Sequence, residues 1–200
     1  ITHQYPFSWR SHKPIIFRAT EQWFLRMEHN DLRQRCLDAV NNDVQWVPQW
    51  GRERIGNMIA GRPDWCLSRQ RSWGIPIPSV YSLKAGKSIL AVEIMDKFIE
   101  QVEQHGTDCW YSMPVEAFIP EGFVCPESGG TEFKKEFDIL DVWFDSGTTH
   151  ASVLEADPDL VSPCDMYLEG SDQYRGWFNS SLITSVAARD RAPYKTVLTH

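Results

Sequence analysis

The chain has 200 residues, 42% of them hydrophobic and 24% charged, with a formal net charge of −7. This is enough apolar and aromatic material for one ordinary domain and excludes an unfolded chain. The acidic balance excludes a general nucleic-acid-coating surface while leaving room for a local basic site, and no stretch approaches the roughly 18 consecutive apolar residues of a membrane span.

No basic segment followed by an apolar run marks a leader, so a globular, soluble chain is expected. Cys36, Cys66, Cys109, Cys125 and Cys164 are odd in number and widely spaced, with no CxxC pair. Reduced thiols in the cytoplasm are therefore expected. The chain starts at Ile1 and ends at Thr199-His200 directly after an apolar run, which reads as an excised piece of something larger.

Residues 1–25 read as strand and loop, with an apolar run at Pro14-Ile15-Ile16-Phe17. The spacing of Leu32, Cys36 and Val40 predicts a helix over 31–41 that Asp31 could cap. Ile55, Met58 and Ile59 predict a second helix over 50–60, with Gly61 at the position after its end and Pro63 beyond. Asp64-Trp65-Cys66-Leu67-Ser68 is short and apolar like a buried strand, and Gly74-Ile75-Pro76-Ile77-Pro78 leaves regular structure because prolines lack ladder donors.

Over 89–104, Val92, Met95, Phe98, Ile99 and Val102 share one helical face, and Glu93 stands four residues before Lys97. The region 106–137 is rich in Gly, Pro and Glu, so 82–137 reads as an insertion or small subdomain. The chain rejoins the sheet at Ile139-Leu140-Asp141-Val142-Trp143-Phe144. Its last 36 residues read as strand, helix, strand, a βαβ unit with an expected right-handed crossover.

Within that unit, Asp165 to Phe178 reads as a strand that turns through Gly170 into a helix whose Tyr174, Phe178, Leu182 and Val186 recur every four residues. Such a junction lies at the carboxyl end of a strand and the positive end of a helix, where open α/β sheets hold nucleotides. Gly170 would permit a tight turn, and Asp172 could accept hydrogen bonds from vicinal hydroxyls. A helix capped by Ser171 or Asp172 explains the same spacing.

Other candidates weigh less. Arg62, Arg69 and Arg71 beside Trp73 suit phosphate and base contact, or form a solvated arginine face. Trp73 and Trp143, each at or just past the end of a strand-like segment, could wall an apolar pocket or simply pack in the core. Asp145-Ser146-Gly147 with His150 lacks the Gly-x-Ser-x-Gly elbow of a hydrolase. Cys125-Pro126-Glu127-Ser128-Gly129-Gly130 outlines half a zinc ribbon, but Ser128 stands at the second sulfur position, and Ser8 and Ser11 form a similar serine pair. A tetrahedral zinc needs about four N or S ligands, so no metal is expected.

Four runs resemble the class I aminoacyl-tRNA synthetases, and within them the bacterial-type isoleucyl-tRNA synthetases: Pro14 to Phe24, Arg62 to Pro76, Leu140 to Gly147, and Tyr167 to Phe178. Together they span the chain nearly end to end, with 80–137 matching least. The valyl and leucyl relatives differ in the last two runs.

The resemblance implies an α/β fold: the second half of a Rossmann-like nucleotide fold with an α+β connective insertion. It divides the chain into a connection with helices and a Rossmann strand (1–79), the insertion (80–137) and a strand-helix-strand half (138–200). The segment would follow the editing domain and stop before the Lys-Met-Ser-Lys-Ser loop, so neither ATP-clamping motif is present and the piece alone would be inactive. The whole enzyme would use ATP with magnesium, isoleucine and isoleucine tRNA, together with the rest of its own chain.

By the family's pattern Glu169, Gly170, Asp172 and Gln173 hold the adenylate, Trp73 and Trp143 border the isoleucine side chain, and no residue is a nucleophile or general acid. An aromatic slot excludes larger side chains but not valine, the standing illustration of how little one methylene decides. Cysteines of some relatives are replaced here by Ser8, Ser11 and Ser128, which puts zinc in doubt. The alternatives left by the residues themselves are a stand-alone RNA-binding module and a zinc-ribbon-like structural domain.

Overall fold

Three short parallel strands and one buried helix position the turn at Gly170, and both arise from segments far apart in the chain. The structure, a computed structural model, describes residues 2–200. In chain order the first elements are β1 (Phe24–Leu25), α1 (Leu32–Asn42), β2 (Gln45–Val47), α2 (Trp50–Ala60), β3 (Trp65–Cys66) and β4 (Ser68–Arg69). Next come β5 (Val80–Ser82), β6 (Lys87–Ile89), α3 (Val92–His105), α4 (Cys109–Ser112) and β7 (Phe133–Lys135). The chain closes with β8 (Ile139–Leu140), α5 (Val142–Gly147), β9 (Tyr167–Glu169), α6 (Trp177–Arg189) and β10 (Thr196–Thr199).

The parallel sheet has the order β2-β10-β9, with Thr196 opposite Gln45 and Val197 opposite Tyr167. Strand β2 escaped the sequence reading, because three residues of pattern exposed-buried-exposed are too few for a period to show. The run 64–68 does not join this sheet. It splits into β3, antiparallel to β1, and β4, antiparallel to β8.

The predicted helix at 50–60 is α2, with Ile55 and Ile59 buried. Gly61 ends it at φ −92°, so the position needs no left-handed residue; its N–H donates to the Asn57 carbonyl. Helix α1 buries Leu32, Cys36 and Val40 as the spacing predicts. Asp31 does not cap it: the residue sits in the left-handed region (φ 54°), whereas a capping side chain needs extended backbone. In α3 the buried residues are Ile94 and Phe98, while Val92 and Ile99 are exposed, and Lys97 pairs with Glu100 rather than with Glu93. The apolar run 14–17 forms no strand; Phe7 pairs with Pro14 in an isolated bridge, and Ile16 and Phe17 are exposed.

Helix α6 departs most from expectation. Phe178 through Val186 are all buried, so it is a central helix and not an amphipathic surface one. Its apolar side packs in a cluster with Val40, Trp46, Ile55, Tyr167, Tyr194 and Val197. Its small polar side, Ser180, Ser181 and Thr184, admits α5: a Cβ at Gly147 would lie 3.0 Å from the Ser180 backbone. The Thr184 hydroxyl donates to the Gly147 carbonyl at 2.7 Å, which satisfies a group the close crossing buries. A second apolar cluster, Val80, Ile89, Ile94, Phe98, Trp110, Phe118 and Phe133 among its members, sits under the antiparallel sheet β6-β5-β7.

Candidate functional site

Strands β9 and β10 run parallel, so Glu169 and Thr199 lie opposite each other at one carboxyl edge. At that edge Gly170 has φ −64° and ψ 157°, ordinary extended values that any residue adopts. A Cβ there would come 2.7 Å from Asp172 Oδ1, the far end of an exposed side chain, and 4.0 Å from the His200 ring, so neither backbone nor space demands a glycine. Residues Ser171–Tyr174 then form a 3-10 turn, and α6 begins only at Trp177, after the bend at Gly176. Neither Ser171 nor Asp172 makes a capping bond. Gln173 does: its Oε1 accepts the Trp177 N–H at 2.9 Å and so caps α6. Asp172 is exposed beside it and accepts from Gln173 Nε2 at 3.3 Å.

The base of the turn is held by Tyr174, whose hydroxyl lies 3.3 Å from Thr199 Oγ1. The same hydroxyl occupies the space a side chain at position 51 would need, so Gly51 lets α2 approach. Trp177 is fixed on one face and at its nitrogen. Its ring stacks on Tyr167 (centroids 4.1 Å, 13° between planes), and Nε1 donates to the Ser146 carbonyl at 3.0 Å and to Thr149 Oγ1 at 3.2 Å.

A cleft of about 410 Å³ opens here, lined by Trp143, Ser146, Thr149, Glu169, Gln173 and Trp177. Trp143 comes from the first turn of α5, not from a strand end, and is 43% exposed. Its ring leans on Gly176, where a Cβ would stand 3.0 Å from Cη2. The opening therefore has two aromatic walls, a hydroxyl-bearing floor and a polar rim of Glu169 and Gln173.

The fold brings together Trp143, Glu169 and Gln173 of the residues singled out from sequence, with Gly170 and Asp172 next to them. Trp73 is not among them; it is 88% exposed and lines no part of this cleft. Trp177 takes the place of second wall. It reads in the sequence as one flank of a helical stripe, and periodicity carries no sign that its free edge meets a cleft.

The arginines also separate. Arg62 is partly buried over the Trp65 ring at 5.1 Å, with its guanidinium pKa lowered by burial. Arg69 donates to the Cys66 and Ser68 carbonyls and forms an ion pair with Asp141 at 2.9 Å. Arg71 alone is exposed and bonds only to the neighbouring Gln70 carbonyl. A shared cationic face is thus not formed.

Around Ser146 there is no nucleophile relay. Its hydroxyl bonds the Trp143 carbonyl, while His150 is buried against Thr184 Oγ1 at 3.3 Å with its imidazole pKa pushed down by burial. Burial, with Asp141 near, raises the Asp145 carboxyl. No group of three or more His, Cys, Asp or Glu is placed to hold a metal among the described residues, and no helix there is long and apolar enough to cross a membrane.

Residues 9–200 match the family described as tRNA synthetases class I (I, L, M and V). The chain belongs to this family. Across all 200 residues the synthetase segment is 57% identical to an isoleucine–tRNA ligase of Caldicellulosiruptor saccharolyticus. It is 55% identical to one from Syntrophotalea carbinolica and 56% identical to one from Geobacter sulfurreducens. Each alignment covers the whole of this chain and 21–22% of the relative, so the chain spans about a fifth of the length of these ligases. The α/β architecture described above is that of a class I synthetase domain.

Proposed function

We propose that this chain supplies one half of the aminoacyl-adenylate site of an isoleucine–tRNA ligase, which joins isoleucine to ATP as isoleucyl-adenylate and passes the acyl group to isoleucine tRNA. One observation carries the reading: Trp143, Trp177, Glu169 and Gln173 converge on a single cleft at the carboxyl edge of the parallel strands, in a chain 57% identical to such a ligase. In this reading the isoleucine side chain lies between the two indoles, where burying an aliphatic group of that size contributes about 1.5–3 kcal/mol. Asp172 takes the ribose hydroxyls, Glu169 and the open backbone at Gly170 face the acyl-phosphate link, and Gln173 holds the start of α6 against them.

None of these groups attacks or donates a proton. The substrate carboxylate attacks the α-phosphorus in line and pyrophosphate leaves, so the contribution of this segment is positioning and charge complementarity. Magnesium would travel with ATP, and the donor set among the described residues offers it no cage. The reading also takes 80–137 as the connective insertion between the 1–79 and 138–200 parts, and a cytoplasmic setting in keeping with five unpaired thiols. The packing of Arg62 over Trp65 and the ion pair of Arg69 with Asp141 count against a stand-alone RNA-binding module.

The test is Asp172→Ala in a full-length ligase carrying this segment. We expect isoleucine-dependent ATP–pyrophosphate exchange to fall by about 10- to 100-fold, as for loss of a hydrogen bond to a charged acceptor, with the thermal midpoint unchanged. Wild-type exchange in a folded variant would overturn the assignment.

A further inference from the structure

We infer that Asp141, which lies outside the cleft, is the positioning residue for its more exposed aromatic wall, an inference that rests on reading the cleft as the isoleucine pocket. Asp141 is only 5% exposed, yet both carboxylate oxygens are engaged. Oδ1 accepts the Trp143 N–H at 3.3 Å and caps α5. Oδ2 accepts from the Trp65 indole at 2.9 Å and from the Arg69 guanidinium at 2.9 Å. Its own N–H donates to the Leu67 carbonyl at 2.7 Å. One buried carboxylate thus ties the β3–β4 segment to the first turn of α5.

That turn is where the cleft is least fixed. The Trp177 wall is stacked and doubly hydrogen-bonded, as described above. The Trp143 indole takes part in no hydrogen bond through its ring nitrogen among the described residues, is 43% exposed, and lies against Gly176. The path of α5 is set at one end by Gly147, seated on the Ser180 backbone and bonded by Thr184, and at the other by the Asp141 cap together with Phe144, whose ring lies 6.1 Å from that of Trp65. Loss of the cap loosens the end that bears Trp143. The distance between the two indoles, and with it the fit of an aliphatic side chain, then depends on Asp141. The partners are specific to a carboxylate: an asparagine can cap with its oxygen only by turning an NH₂ toward the Trp65 and Arg69 donors.

The experiment is steady-state ATP–pyrophosphate exchange by the full-length ligase carrying Asp141→Asn, Trp65→Phe, Trp143→Ala, or Asp141→Asn with Trp143→Ala. Asp141→Asn should raise KM for isoleucine about tenfold and move KM for ATP by less than about twofold, since a one-sided loss of a charge-assisted hydrogen bond is transmitted to one wall only. The double variant should match Trp143→Ala alone, because the effect passes through that ring. Trp65→Phe removes one donor while keeping an aromatic ring beside Arg62 and Phe144, and should raise KM for isoleucine about threefold, which keeps the inference testable should Asp141→Asn fold poorly.

Equal shifts in both Michaelis constants, a fall in kcat alone that tracks loss of folded protein, or additive effects in the double variant would each overturn the inference. An unchanged KM for isoleucine in Trp143→Ala would instead overturn the reading of the cleft beneath it.

Discussion

The two apolar clusters of this chain are built by opposite strategies. The one beneath the sheet β6-β5-β7 is assembled within residues 80–135: β5 pairs with β6 across a short turn, and Phe98, Trp110 and Phe118 meet with ring centroids 4.7–6.2 Å apart. Its one internal cation, Lys135, donates to the Trp110 and Met113 carbonyls beneath aromatic rings. The other cluster joins strands from opposite ends of the chain, Gln45 against Thr196, and runs a helix with five buried polar residues through its middle. The first arrangement serves packing. The second accepts small polar residues in the core because α5 must approach α6 closely enough to set two indoles across a cleft. Apolar burial alone would favour larger side chains there, and larger side chains would close the approach.

This contrast can be broken from either side. Trp110→Ala removes a fully buried ring from the second cluster and should cost about 3–5 kcal/mol. In the full-length protein, hydrogen exchange should show amides of 80–137 losing protection, with the isoleucine KM unchanged. A KM that moves with the loss of protection would mean that the two clusters are not separate in function.

Gly147→Ala places a methyl against the Ser180 backbone and should destabilise the body by about 1–3 kcal/mol. At this chain length that corresponds to roughly 2–4 °C in Tm per kcal/mol. Because α5 carries Trp143, the isoleucine KM should rise as well, which exchange kinetics at two ATP concentrations would show. A lowered Tm with an unchanged isoleucine KM would separate the crossing from the cleft.

The smallest effect concerns His150. Burial holds its folded-state pKa below the ordinary 6.5. The unfolded chain therefore binds this proton first, and stability should fall as pH drops below 6.5, levelling off once the native imidazole is protonated too. The charged groups facing it, Glu155, Arg189 and Arg191, oppose one another in sign. Denaturant midpoints between pH 7.5 and 5.5 should decline less steeply in His150→Gln than in the wild type; parallel slopes would assign the dependence to other groups.

Much of the secondary structure was legible before any contact was known. Helix α2 follows from three apolar residues at helical spacing, and α1 from Leu32, Cys36 and Val40, because those side chains are buried in the positions the period implies. What failed to read was whatever depended on a partner. Asp31 resembles a cap, but its left-handed backbone makes no capping bond, whereas Gln173, which no capping preference favours, caps α6 through a long side chain reaching forward four residues. Arg62 and Arg69 resemble a phosphate-binding patch, yet Trp65 and Asp141 engage them. Trp73 and Trp177 are equally conspicuous aromatics, and only the fold turns one to solvent and the other into the cleft.

The sequence by itself determined the family, the α/β class and the polar turn at Glu169-Gly170-Ser171-Asp172-Gln173, because these are properties of residues close together in the chain. The tertiary structure alone decided which tryptophans line one cleft, which arginine remains exposed, and that the buried carboxylate of Asp141 meets the first turn of α5. Those are outcomes of long-range packing, in which a side chain's role is set by what the crossing of distant helices and strands leaves within reach of its atoms.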